Sequence, residues 1–328
     1  MAKTTGRFIQ FGVARETTRG TAEAAASFWI PWDELSLDDK DERILNDQSR
    51  GLIETSVGES IIKKWVEAEI KAPIDDTIFP LFLYAVLGTL ITSDNADSNA
   101  AVKDHTLTVA QSIQHQALTL FLDDPAAGQD YRFALGMVTG LELMYERGKF
   151  ISFGAQLKAK TGQTSTLTPA TTTANRFLPH HLTFKMATAQ SGLTAASATV
   201  LKSANISFKP TVIDDDVLGS NTPNDFNNTN FEIEGTLELM FDDETEKTLA
   251  LDATKRALRF DLINTDVTIG AAANPSIRID LHNVTFRPIT RSFKQGEYVL
   301  QTIAFKAHFD LTDAKMITAV GTNITASY

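Results

Sequence analysis

Residues 230–247, NFEIEGTLELMFDDETEK, decide the fold. Phe231, Ile233, Leu237, Leu239 and Phe241 fall on one side of an extended chain, and Glu232, Glu234, Thr236, Glu238 and Met240 on the other. That two-residue period is a strand with one buried and one wet face. A similar string, KKWVEAEIKAPIDDT, occupies residues 63–77. Aligned without a gap, Val66 meets Ile233 at an offset of 167 residues, and Asp75-Asp76 meets Asp242-Asp243.

Working outward, the correspondence continues in the same order. A helix should follow each Asp-Asp pair. Upstream, Asp76 or Thr77 can cap it, Pro80 sits in its first turn and Gly88 ends it. Downstream, Asp243 with Glu246 forms a capping-box pattern before TLALDATKRAL. GTAEAAASFWIPWDELSLD at residue 20 resembles GLTAASATVLKSANISFK at residue 192, with Leu35-Ser36-Leu37 beside Ile206-Ser207-Phe208 at an offset of 171. Each copy then has a long hairpin, turning at Arg147-Gly148-Lys149 and at Gln295-Gly296-Glu297, an offset of 148. Glycine supplies the positive φ of a tight connection. An insertion near residues 93–105, SDNADSNAAVKDH, accounts for the fall in offset.

The reading is a mainly β (α+β) chain of two tandem β-sandwich or partial-barrel units, each with one packed helix and a long β-hairpin. The first covers residues 1–160, including an N-terminal arm and the insertion; a Thr-rich linker covers 161–176; the second covers 177–328. Convergent strand patterning is the competing account of the likeness.

Composition narrows the function. Hydrophobic residues at 43% and charged residues at 22% describe an ordinary globular chain of 328 residues. A net charge of −11 argues against gripping nucleic acid over a broad basic surface. Without cysteine there are no disulfides, no thiolate chemistry and no Cys-ligated zinc. The N-terminus lacks the apolar core of a signal peptide, and the apolar run at residues 78–91 is too short to span a bilayer, so it reads as a buried helix.

No catalytic motif is present: H-E-x-x-H, G-x-S-x-G, a Walker loop and G-x-G-x-x-G are all absent. No enzyme activity, metal or cofactor is expected. His180-His181 is the one adjacent histidine pair, and strand neighbours face opposite ways, which makes joint ligation awkward. The acidic runs at 38–42, 214–216 and 242–244 do not fit an EF-hand loop and read as solvated loops or caps. Trp29 and Trp32 suit anchoring in a core or interface; a ligand platform is the other reading. The polar strand faces carry more: Glu67, Glu69 and Lys71; Gln156 and Lys158; Glu232, Glu234 and Glu238; Lys306 and His308. They read either as an ordinary solvent face or as the lining of a wide, water-filled passage.

The opening, FGVARETTRGTAEAAASFWIPWDELSLDDKDERILNDQSRGLIETSVGESIIKKWVEAEIKAPIDDTIFPLFLYAVLG, resembles the major tail tube proteins of long-tailed (siphovirus-type) bacteriophages. The likeness lies in V-A-x-E-T-T-x-G-T, a Trp-containing strand, a charged loop, a W-x-E-x-x-I strand and an apolar helix. It covers residues 11–88 well and the rest by architecture. It implies a virion protein, made in the host cytoplasm, whose rings stack into a hollow tube that conducts double-stranded DNA without tight binding. The ten polar-face residues above then become candidates for the lumen. Asp38, Asp39, Asp41 and Glu42, with Asp214, Asp215 and Asp216, fall in loops reaching the next ring. Implied partners are the chain itself and tape-measure, tail-terminator and distal-tail proteins, with no membrane insertion. Two units per chain suggest a trimeric ring with pseudo-sixfold symmetry, against a hexamer. A β-rich adhesin or carbohydrate binder is the alternative function.

Overall fold

A computed structural model describes residues 5–97, 99–125, 128–293, 295–296 and 298–328. The first half contains β1 (Gln10–Arg15), β2 (Phe28–Ile30), β3 (Glu34–Leu45), β4 (Glu59–Pro73), α1 (Phe79–Leu87), β5 (Gly88–Asp94), β6 (Lys103–Val109), β7 (Leu118–Asp123), β8 (Asp130–Tyr145), β9 (Ser152–Ala159) and β10 (Gln163–Ser165). The second contains β11 (Leu182–Ala187), β12 (Leu201–Asp215), β13 (Asp225–Met240), α2 (Thr245–Leu251), β14 (Arg256–Ile263), β15 (Ser276–Phe286), β16 (Thr290–Ser292), β17 (Leu300–His308) and β18 (Ile317–Asn323). The fold is mainly β, and the strands connect into one 18-stranded antiparallel network.

Both halves run through the same ladder: β1–β7–β8–β9–β4–β3 in the first, β11–β14–β15–β17–β13–β12 in the second. Their irregularities also coincide. Lys63 and Ile61 face Glu42 and Arg43, leaving Ile62 as the extra residue; Asn230 and Asn228 face Thr211 and Val212, leaving Thr229. A second bulge separates Leu118 from Leu120 against β8, and its counterpart separates Arg256 from Leu258 against β15. A bulge re-aims a strand and increases its local twist. The register corrects one alignment. Leu37 faces Ala68 as Ile206 faces Gly235, so Leu37, not Leu35, is the counterpart of Ile206.

Strand pairings and side-chain contacts stitch the halves together. The insertion is a paired hairpin, β5–β6, wider than the polar stretch at 93–105, and β6 continues onto β18. β12 adds its outer edge to the end of β8. The 161–176 segment is pinned rather than free: β10 pairs with β8, Asn175 donates its backbone and side-chain N–H groups to Asp76, and Asp75 bridges Arg176. One hydrophobic core runs through both halves, with Tyr145 stacked on Phe260 at 5.5 Å and Phe184 tilted against the same ring at 4.9 Å.

α1 is buried along nearly its whole length, with proline in its first turn and Gly88 closing it at φ 87°. The apolar run does not stay helical to residue 91, because beyond Gly88 the chain enters β5. Neither Asp76 nor Thr77 caps it: the N-cap is Ile78, and Asp75 holds the turn just before the helix, its Oδ1 accepting from Thr77 N at 2.9 Å and Ile78 N at 2.5 Å. α2 is short and has no buried residue; Asp243 accepts from Thr245 N at 2.7 Å, but the box with Glu246 does not form because the N-cap is Glu244. Gly148 and Gly296 turn the long hairpins at φ 87° and 82°. Glu297, expected in the second turn, lies outside the described residues.

The opening motif acts as a clamp. Glu16 is buried and accepts from Gly20 N at 2.7 Å and Leu135 N at 2.6 Å, holding Leu135 at φ 57°. Burial pushes the Glu16 carboxyl above its ordinary range despite these donors. Arg19 crosses to the second half, donating to Asp225 at 2.9 Å and to the Phe226 carbonyl at 2.5 Å.

Candidate functional site

Ladder and seam together make one continuous sheet in the order β3–β4–β9–β8–β12–β13–β17–β16. Its inner side is apolar: Val66, Ala68 and Ile70, Phe153, Ala155 and Leu157, Ile206 and Phe208, Ile233 and Leu237, Ile303 and Phe305 are all buried. Strict alternation sends the intervening side chains to the opposite face.

That face gathers all ten residues picked from the strand pattern. Glu67, Glu69, Gln156 and Glu232 are exposed; Lys71, Lys158, Glu234, Glu238, Lys306 and His308 are half-buried. Glu67 stands opposite Lys158 and Glu69 opposite Gln156; Glu234 stands opposite Lys306. Sequence reading missed several members of the same face, among them Glu142, Asn205 and Lys209, because β8 and β12 meet only through tertiary pairing. Asn205 donates to Glu142 at 2.6 Å and Lys209 to Glu234 at 2.8 Å. Lys306 reaches Glu232 at 3.0 Å and Glu234 at 3.6 Å. The hydrogen bond from Lys209, with the Lys306 and Arg287 charges beside it, holds the Glu234 carboxyl below its usual range. The face is acidic with interspersed lysines, and most of its cations are already paired.

The acidic segments differ from expectation. Asp38, Asp39, Asp41 and Glu42 lie in strand β3, not in a loop, and the connection to β4 is confined to residues 46–58. The charged run hid the strand because it has no apolar alternation; it is held by its ladder and by ion pairs to β4, Arg43 to Glu59 at 3.2 Å and Lys40 to Glu67 at 3.9 Å. Asp214 and Asp215 end β12, and Asp216 follows it. Asp214 takes Lys158 at 2.7 Å and Lys63 at 2.5 Å, fastening the end of β12 to β9 and β4. Both arms carry exposed apolar residues: Ile44, Leu45, Ile53 and Val57 on the first, Ile213 and Leu218 on the second.

The histidine pair sits on a short 3-10 turn, not a strand, so both rings approach Asp266, at 3.6 Å from His180 and 3.2 Å from His181. His181 Nδ1 accepts from Leu178 N at 3.1 Å, which leaves the ring proton on Nε2, donated to Asp266. A metal-bound histidine has the reverse arrangement, its free nitrogen donating outward. The cluster is a hydrogen-bonded turn. Trp29 is only 8% exposed and packs on Ala14 and Phe121, which suits anchoring in the core, and with the half-buried Trp32 it also lines a surface cavity.

A family model for the phage tail tube protein matches residues 6–307, nearly the whole chain. The chain belongs to the phage tail tube protein family. No curated protein matches it. This tube protein is therefore a structural component of the virion tail that assembles with itself into a tube. Among its described residues no helix is long and apolar enough to cross a membrane.

Proposed function

We propose that this tube protein consists of two tandem tube units, that three copies close a ring with pseudo-sixfold symmetry, and that rings stack into a channel conducting double-stranded DNA. The polar face described above would line that channel. The observation that carries the reading is the continuous sheet with one polar face and two ends, β3 and β16, that have no outer strand among the described residues. Ring closure pairs such edges and removes an aggregation hazard.

A channel for DNA has to avoid holding it. DNA carries one charge per roughly 1.7 Å of axis, and a basic wall would retain it through counterion release. Here Glu67, Glu69, Glu142, Glu232, Glu234 and Glu238 dominate, and Lys209 and Lys306 are neutralised by ion pairs. The β3–β4 and β12–β13 arms, acidic on their flanks and apolar at their tips, suit contacts to the next ring. Tail partners such as a tape-measure protein would meet the polar face and the terminal rings.

Two measurements test this. Cryo-EM symmetry or native mass of rings is expected to give three chains per ring; six chains overturn the stoichiometry. Reversing Glu232, Glu234 and Glu238 to lysine is expected to leave rings intact and slow genome release. Unchanged release would mean that this face looks elsewhere.

A further inference from the structure

The polar-faced sheet is joined at its middle by the seam of β12 on β8 and carries, at its two ends, the unpaired counterparts of that same seam. Inside the chain, β12 lies antiparallel on the end of β8, with Ser207 facing Glu142, Ile206 facing Leu143, Asn205 facing Met144 and Ala204 facing Tyr145. The equivalent of β12 in the first half is β3: Asp38 faces Glu67 as Ser207 faces Glu234. The equivalent of the end of β8 in the second half is β16. Lys158 faces Glu67 as Lys306 faces Glu234, so Gly154 corresponds to Thr302, and their partners Glu142 and Thr290 correspond in turn. Among the described residues β3 pairs only with β4, and β16 only with β17.

We propose that β3 of one copy docks on β16 of the next in the register of the internal seam, Leu35 opposite Phe293, Ser36 opposite Ser292, Leu37 opposite Arg291 and Asp38 opposite Thr290. The partner is a second copy of this chain, and the proposal rests on the ring reading above while adding the strands, the direction and the register.

Three features of the free edges fit this occupant. Phe293 is 73% exposed, whereas its counterpart Tyr145, covered by β12, is 3% exposed. Leu35 and Leu37 are half-buried at the rim of the core and would extend it over Phe293. Arg291 points to the core side, where its Nη1 meets Glu244 at 3.0 Å while its Nη2 is buried with no acceptor among the described residues. In the proposed register Asp39 is the diagonal neighbour of Arg291, within reach of a long side chain. An orphaned guanidinium donor and an exposed carboxylate would satisfy each other across the seam.

Cysteine cross-linking reads the register directly, because the chain has no cysteine of its own. Directly opposed antiparallel residues have Cα atoms about 4.5–5.5 Å apart, inside disulfide range. Oxidised rings of Ser36→Cys/Ser292→Cys are expected to resist denaturing gels as covalent multimers. Ser36→Cys/Thr290→Cys, two residues out of step, should run mainly as monomer. All three positions are exposed, so the variants keep the fold. Rings that form but cross-link only in the shifted pair overturn the seam and leave the ring reading standing. A chain that forms no rings at any concentration overturns both. As a second arm, Asp39→Lys, which faces solvent in the single copy, should raise the concentration needed for assembly at least about tenfold by setting like charges together; an unchanged threshold argues against the Asp39–Arg291 contact.

Discussion

Replacing Asp75 with asparagine should make the subunit more stable at neutral pH. Asp75 is 3% exposed, and burial, with the Asp76 charge beside it, raises its carboxyl from 3.8 to about 6 against the opposing pull of the Thr77 and Ile78 N–H groups. The folded chain thus holds this proton more tightly than the unfolded one. Stability from that proton is fully present below pH 3.8 and is lost as pH rises through about 6. The gap corresponds to about 3 kcal/mol at neutral pH. Asparagine keeps an Oδ1 for both backbone donors and has no charge to bury. The difference in unfolding free energy, Asp75→Asn minus wild type, should be flat below about pH 4 and climb by about 3 kcal/mol by pH 7. Urea titrations of the unassembled subunit at a series of pH values measure it. Using the difference removes His105 and His115, whose rings burial pushes to lower pKa and whose effect is common to both proteins. A difference that stays level from pH 4 to pH 8 would refute the reasoning.

Other outcomes follow from single contacts. Arg259 and Asp280 form a bidentate pair at 2.7 Å with side chains 7% and 5% exposed, so Asp280→Ala should cost about 3–5 kcal/mol by stranding the guanidinium, while Arg259→Met with Asp280→Leu should recover most of it in the same urea assay. Gly88→Ala should cost over about 1 kcal/mol in thermal unfolding, since φ is 87° and a Cβ would lie 2.8 Å from Ala110 and 2.9 Å from the His115 ring. Asp214→Asn should increase amide exchange in the β3–β4 and β12–β13 arms with little change in the core, because it releases Lys63 and Lys158 together.

What could be read from sequence was whatever repeats locally. The alternation in 230–241 and 63–73 located the central strands and their polar face, Pro80 and Gly88 located α1, and Gly148 and Gly296 located the hairpin turns. β3 reads as a loop from sequence because its outer half covers no core, so its side chains have no reason to alternate. The apolar run at 78–91 concealed a helix-to-strand junction, since both of its parts are packed against other elements. Glu142 and Lys209 escaped notice because they reach the polar face through the pairing of β8 with β12, strands far apart in the chain. Arg19 and Glu16 sat inside the opening motif, but nothing nearby in sequence reveals that one reaches Asp225 and the other Leu135.

The β5–β6 hairpin, paired to β18, gives the joint inside each chain a second backbone fastening. A joint between chains made only of β3 on β16 would have none. In a ring of three, strong and weak joints would then alternate, and a tube under tension or torsion would part between chains and hold within them. Growth would benefit as well. Each association forfeits about 4–15 kcal/mol of translational and rotational freedom, and a growing tip that receives its units already joined in pairs incurs that cost half as often for each layer laid down.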